Sequence, residues 1–141
     1  MTPTQDKLAP EAAEAEFRSW LEDMGLAFKV DDPKLTAEDR DSLEKAKLPI
    51  MEAIRKGRLI RNEAGEFVFT PQLGDTSPIT FYEPTGADLM QMDKVGRKDE
   101  NVAKTYGILA SMTRQNQKRF ADMKNRDLDV CKGIMGFFLG R

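Results

Sequence analysis

Histidine is absent from this 141-residue chain and cysteine occurs once, at position 131. Without histidine there is no Ser/Cys–His nucleophile pair, no imidazole metal site and no general base of the commonest kind. A single cysteine gives no disulfide framework and no zinc cluster, and points to a reducing compartment. No apolar run approaches the roughly 18 residues that a membrane span needs. The opening MTPTQDKLAPEAAEAE shows neither the basic start nor the apolar stretch of a signal peptide. Aromatics are sparse as well, at 8% of residues. The expectation is a cytoplasmic protein of non-catalytic type, with no metal and no cofactor.

What is present is charge, at 33% of residues, and a hydrophobic share of 40%, enough for one modest core. The net charge of −2 conceals a gradient: −4 over residues 1–35, 0 over 36–70, −3 over 71–100 and +5 over 101–141. The basic residues of the last segment are spread out and interleaved with Asp122, Asp127 and Asp129. That spacing reads as the solvated face of a helical hairpin, and no aromatic stacking series accompanies it.

Pro10 followed by EAAEAEFRSWLEDMG predicts a first helix. Glu11 and Glu14 sit near its positive end, Gly25 lies past its last turn, and Phe17, Trp20, Leu21 and Met24 form one stripe. Thr36 and Asp39 have the spacing of a capping box and open a second helix, with a stripe of Leu43, Leu48, Met51 and Ile54. Pro49 predicts a kink or restart there, and Gly57 the end. Two short runs at 58–61 and 66–70 flank Asn62-Glu63-Ala64-Gly65, a hairpin signal in which Gly65 supplies a positive φ. A third strand is expected at 79–82, stopped by Pro84.

Thr85 and Asp88 again have capping-box spacing and open a short helix through Leu89, Met92 and Val95, followed by a charged loop at 96–101. The remainder reads as helical, with Val102, Tyr106, Leu109 and Met112 on one stripe and Phe120 and Met123 on another. Leu128, Cys131, Ile134, Met135, Phe138 and Leu139 mark the last. Gly133 and Gly136 each cost about 1 kcal/mol relative to Ala in a helix. Their presence means either that another backbone passes closely or that the helix tolerates them. The fold class expected is α+β: two N-terminal helices over residues 1–57, then a small antiparallel sheet of about three strands and a helical C-terminal region over 58–141. These segments form either separate units or one compact domain.

Candidate chemistry is thin. Asp31-Asp32, Asp39/Asp41, Asp99-Glu100 and Asp127/Asp129 are carboxylate pairs on turns or polar helix faces, where solvation explains them better than a converging acid–base pair. Gly74, Gly86 and Gly96 precede no Lys-Ser or Lys-Thr and make no phosphate loop. Cys131 reads as a small buried hydrophobe. The helix–hairpin order over 36–70, with Arg55, Lys56, Arg58 and Arg61, is loosely that of a winged helix, although that segment has no net charge. Protein binding has more behind it. Eight methionines are many for this length, and Met suits adaptable surfaces. Met90 and Met92 cannot share one helical stripe, and burying Phe137, Phe138 and Leu139 together calls for a partner or a wide groove.

The segment ITFYEPTGADLM has a strand ending in Glu83-Pro84, then Thr85-Gly86-Ala87-Asp88-Leu89 opening a helix. With Ile108 to Thr113 in a middle helix, Asp127-Leu128 leading the last one and Gly136-Phe137-Phe138-Leu139 closing it, residues 79–139 resemble the tail assembly chaperones of tailed phages. One difference is Arg114, which follows Thr113 where that family often has Gly. The resemblance implies a non-enzymatic role in the host cytoplasm: binding and solubilising the tape-measure protein and recruiting tail-tube subunits. A phage structural or adaptor protein retained in the tail is the alternative, and a winged-helix-like DNA-binding protein the second. On the chaperone reading, Met90, Met135, Phe137, Phe138 and Leu139 are the expected partner-binding set. Neither a membrane nor a nucleic acid is an expected partner.

Overall fold

A computed structural model describes residues 8–88, 90 and 101–139, with backbone only for 101–104. Helix α1 (Pro10–Asp23) has its proline in the first turn, where the missing N–H costs nothing, and ends before Gly25, whose φ of +71° an L side chain rarely adopts. A short α2 (Ala27–Asp31) leads to α3 (Ala37–Arg55). The capping box at the start of α3 forms: Asp39 N–H donates to Thr36 Oγ1 at 3.0 Å and Thr36 N–H to Asp39 Oδ2 at 3.3 Å. Pro49 does not end this helix, which runs through it to Arg55. Its ring nitrogen carries no hydrogen, so the Lys45 carbonyl four residues back has no helical donor.

Three strands follow, β1 (Leu59–Arg61), β2 (Phe67–Phe69) and β3 (Ile79–Phe81), in the order β1-β2-β3 with both pairs antiparallel. Asn62 organises the first turn: its side-chain oxygen accepts from the N–H groups of Ala64 and Glu66, each at 3.0 Å, while Gly65 takes a φ of +82°. Alternation then places Leu59, Phe67, Phe69, Ile79 and Phe81 on the covered face and Ile60, Val68 and Thr80 on the other. Past Pro84, Thr85 and Asp88 form their capping box (Thr85 N–H to Asp88 Oδ2, 2.8 Å) and a helical turn begins at 86. Leu89, Met92, Val95, the loop at 96–100 and the side chain of Val102 lie outside the described residues. Helices α4 (Asn101–Thr113), α5 (Gln117–Ala121) and α6 (Asn125–Leu139) complete the α+β fold.

The core is a single cluster fed by both halves of the sequence. Trp20 of α1, fully buried, stacks on Phe67 of β2 at 4.6 Å between centroids and meets Phe138 of α6 edge-on at 5.3 Å. Removing a ring from such a place costs roughly 3–5 kcal/mol. Helices α1 and α3 therefore share one core with the sheet and α6. One stripe residue of the sequence reading needs correction. Leu48 is 65% exposed, while Ile50, Ala53 and Ile54 are buried. Leu43 and Leu48 are five residues apart, about 140° around a helix, so they cannot share a face.

Candidate functional site

The C-terminal helix is held at three points along its length. In its first turn, the Asp127 carboxylate is buried and accepts from the backbone N–H groups of Gln72 (3.0 Å) and Leu73 (3.1 Å). Midway, Gly133 passes α3 so closely that a Cβ would come within 2.8 Å of the Ala46 carbonyl oxygen. At its end, Lys29 Nζ donates to the carbonyls of Phe137 (3.2 Å) and Phe138 (2.8 Å), satisfying groups that a helix terminus leaves open and placing a cation at the negative end of its dipole. Asp127 was expected on a solvated face with Asp129, and that expectation is corrected. Its partners lie more than fifty residues away in sequence, and no local motif announces them.

The five expected contact residues do not form one open face. Phe137 and Phe138 are 2% and 9% exposed, Met135 and Leu139 are half-buried against the core, and Met90 is 59% exposed. Phe137 meets Phe17 edge-on at 5.1 Å. The chain therefore buries Phe137 and Phe138 itself. The buried positions of α6, from Asp127 to Phe138, spread over roughly 220° of its circumference at 100° per residue. A helix enclosed on that scale can bury adjacent residues without an outside partner.

Two depressions adjoin α6. The smaller, about 350 Å³, has Phe137 as one wall, with Phe17, Leu21, Val30, Leu35 and Leu43 around it. Its rim carries the Arg18–Asp31 pair (Nη1 to Oδ1, 2.8 Å) and the Lys47–Glu14 pair. The Arg18 hydrogen bond holds the Asp31 carboxyl below its ordinary range. The larger, about 1190 Å³, is an open groove between α3 and α6. Leu48, Pro49, Met51 and Val130 supply its apolar strip, and Arg55, Lys56, Arg58, Arg126 and Lys132 crowd its edge. Glu52 is occupied by Lys56, whose hydrogen bond at 2.8 Å lowers the carboxyl's pKa.

Cys131 is fully buried with its Sγ 3.7 Å from Met123 Sδ, and burial pushes its thiol far above the ordinary range, so the nucleophilic thiolate is disfavoured. Among the described residues no three His, Cys, Asp or Glu side chains gather where they could hold a metal, and no helix is long and apolar enough to cross a membrane. Sequence reasoning missed the α3–α6 groove. The signal available was the angular misfit of Leu48 on its own stripe. Comparison with protein-family models, with curated proteins and with solved structures gave no match.

Proposed function

We propose that the chain is a non-enzymatic tail assembly chaperone of a tailed phage, acting in the host cytoplasm to bind and solubilise the tape-measure protein and recruit tail-tube subunits. The observation that carries this reading is the joint at Asp88. In the segment that resembles the family, Asp88 caps the turn begun at Thr85 and also accepts a hydrogen bond from Ser111 of α4, so the Glu-Pro/Asp-Leu element is tied to the middle helix. Arg114 adds support. It stands where the family often has Gly, and it adopts a φ of +58°, the left-handed conformation that Gly supplies after a helix.

Because Phe137 and Phe138 are enclosed, this reading locates partner contact at the 350 Å³ cavity walled by Phe137 rather than on an exposed aromatic pair. Apolar anchor side chains of a long helical partner are of a kind that can enter it. The test is co-expression with the tape-measure and tail-tube proteins encoded beside this chain. The expected result is a tape-measure protein that is soluble only in the presence of the chain and elutes with it. Absence of binding by either partner, with solubility unchanged, overturns the reading. Val30→Phe, which fills the cavity from α2, should abolish co-elution in a folded protein; normal co-elution would move the contact elsewhere.

A further inference from the structure

We infer that the α3–α6 groove is a docking site for an acidic helical segment of another protein, anchored by apolar side chains. This inference stands apart from the tail-assembly reading, since it rests on the groove's shape and charge alone. Six of the groove's lining residues are Lys or Arg and three are Asp or Glu, on a chain whose net charge is −2. Two of those acids are already engaged. Asp127 receives the Gln72 and Leu73 N–H groups, and Glu52 receives Lys56. The side chains of Arg58, Arg126 and Lys132 enter no hydrogen bond or ion pair among the described residues. Arg126 lies in the first turn of α6, where the helix dipole disfavours a cation. Six cations against three acids, beside a helix N-terminus, therefore give the groove a positive potential that Glu52, which Arg126 and Arg55 also face, offsets only in part.

The floor is apolar. Leu48 stands 65% exposed beside Pro49 and Met51, turned away from the core. At about 1190 Å³ the groove exceeds the ~300–1,000 Å³ typical of small-molecule sites. A helix about 10 Å across with a 5.4 Å pitch fills roughly 420 Å³ per turn, so between two and three turns fit. A cationic rim around an apolar strip matches a helix with apolar residues at i, i+3 and i+4 and carboxylates flanking them. Nucleic acid fits less well. Its affinity comes from cations neutralising phosphates, and here the cations border an apolar strip and share the walls with Asp129.

The test uses a fluorescein-labelled 14-residue peptide with Leu at i, i+3, i+4 and i+7 and Glu at the flanking positions, titrated against the full chain at low salt. Expected is saturable binding that weakens at least about tenfold for the matching Gln-for-Glu peptide, for Arg126→Glu/Lys132→Glu and for Leu48→Asp, each with an unchanged thermal midpoint. Lys34→Glu/Lys118→Glu, which makes the same charge change outside the groove, should bind as the parent does. The inference is overturned by no binding of the Glu peptide, or by equal losses in the groove and control variants. It is equally overturned if a 20-base-pair duplex displaces the peptide and binds more tightly than it.

Discussion

Gly133 of α6 and Ala46 of α3 meet so closely that a Cβ on the glycine would stand 2.8 Å from the alanine's carbonyl oxygen and 3.2 Å from Ile50 Cδ1. A backbone carbonyl inside a helix cannot swing aside, so the crossing depends on the missing side chain. In an open helix Gly→Ala gains about 1 kcal/mol, whereas overpacking costs about 1–3 kcal/mol. Gly133→Ala should therefore lose up to about 2 kcal/mol in urea unfolding. Gly136, with nothing within 4 Å of its would-be Cβ, should gain about 0.5–1 kcal/mol as Ala. Equal effects at the two positions would show that the helices do not touch there.

Asp127 secures the segment after β2 by accepting two backbone N–H groups from a buried position. Asp127→Ala leaves the Gln72 and Leu73 donors without a partner, at about 1–3 kcal/mol for the desolvated groups. The expected outcome is a loss of about 2–3 kcal/mol together with faster hydrogen exchange at those two amides. The exposed Asp129→Asn should change stability by less than about 0.5 kcal/mol. Slow exchange at Gln72 and Leu73 in Asp127→Ala would mean that other acceptors hold the segment.

How far the sequence carries can be judged from these residues. Elements whose determinants are local were legible: the Thr36/Asp39 and Thr85/Asp88 boxes, the Asn62–Gly65 turn with its positive φ at Gly65, the helix ends before Gly25 and Gly57, and the three strands with their order in the chain. Features that depend on what lies opposite were not. Asp127 is a surface acid until Gln72 and Leu73 arrive from a distant segment. Phe137 and Phe138 look unburiable together on one stripe, yet α1 meets both of them, through Phe17 and Trp20. Gly133 and Gly136 are alike in sequence, and only the passage of α3 separates a close crossing from tolerance. The α3–α6 groove belongs to the same class, since it exists only once two helices far apart in sequence are placed side by side.

Arg114 occupies a left-handed conformation at a φ of +58° with its guanidinium 4.0 Å from the centre of the Tyr82 ring. A side chain in that conformation costs about 1–2 kcal/mol, and a cation–π contact near the surface returns about 0.5–1 kcal/mol. Arg114→Ala keeps the strain and discards the contact, so it should lose about 0.5–1 kcal/mol. Arg114→Gly discards both and should fall within about 0.5 kcal/mol of the parent, above the Ala variant by about 1 kcal/mol. Denaturant midpoints of the three proteins decide it. An Ala variant as stable as the Gly variant would mean that the position is not held left-handed in solution.

Asp88 links the turn at Thr85 to Ser111 of α4, and its charge state sets an acid limit on that link. Burial by itself would raise its carboxyl. The donors from Ser111 and Thr85, with the Arg114 charge nearby, outweigh burial and hold it below the ordinary 3.8. A carboxyl with a depressed folded-state pKa contributes stability that is fully present above its unfolded value and is lost as pH falls through the folded one. The stability gap between the parent and Asp88→Asn should thus stay constant from pH 7 to about 5 and close steadily below about pH 4. Urea unfolding of both proteins across pH 2–7 measures that gap. A gap that persists undiminished at pH 2 would show that the ionised carboxylate is not what ties the turn to α4.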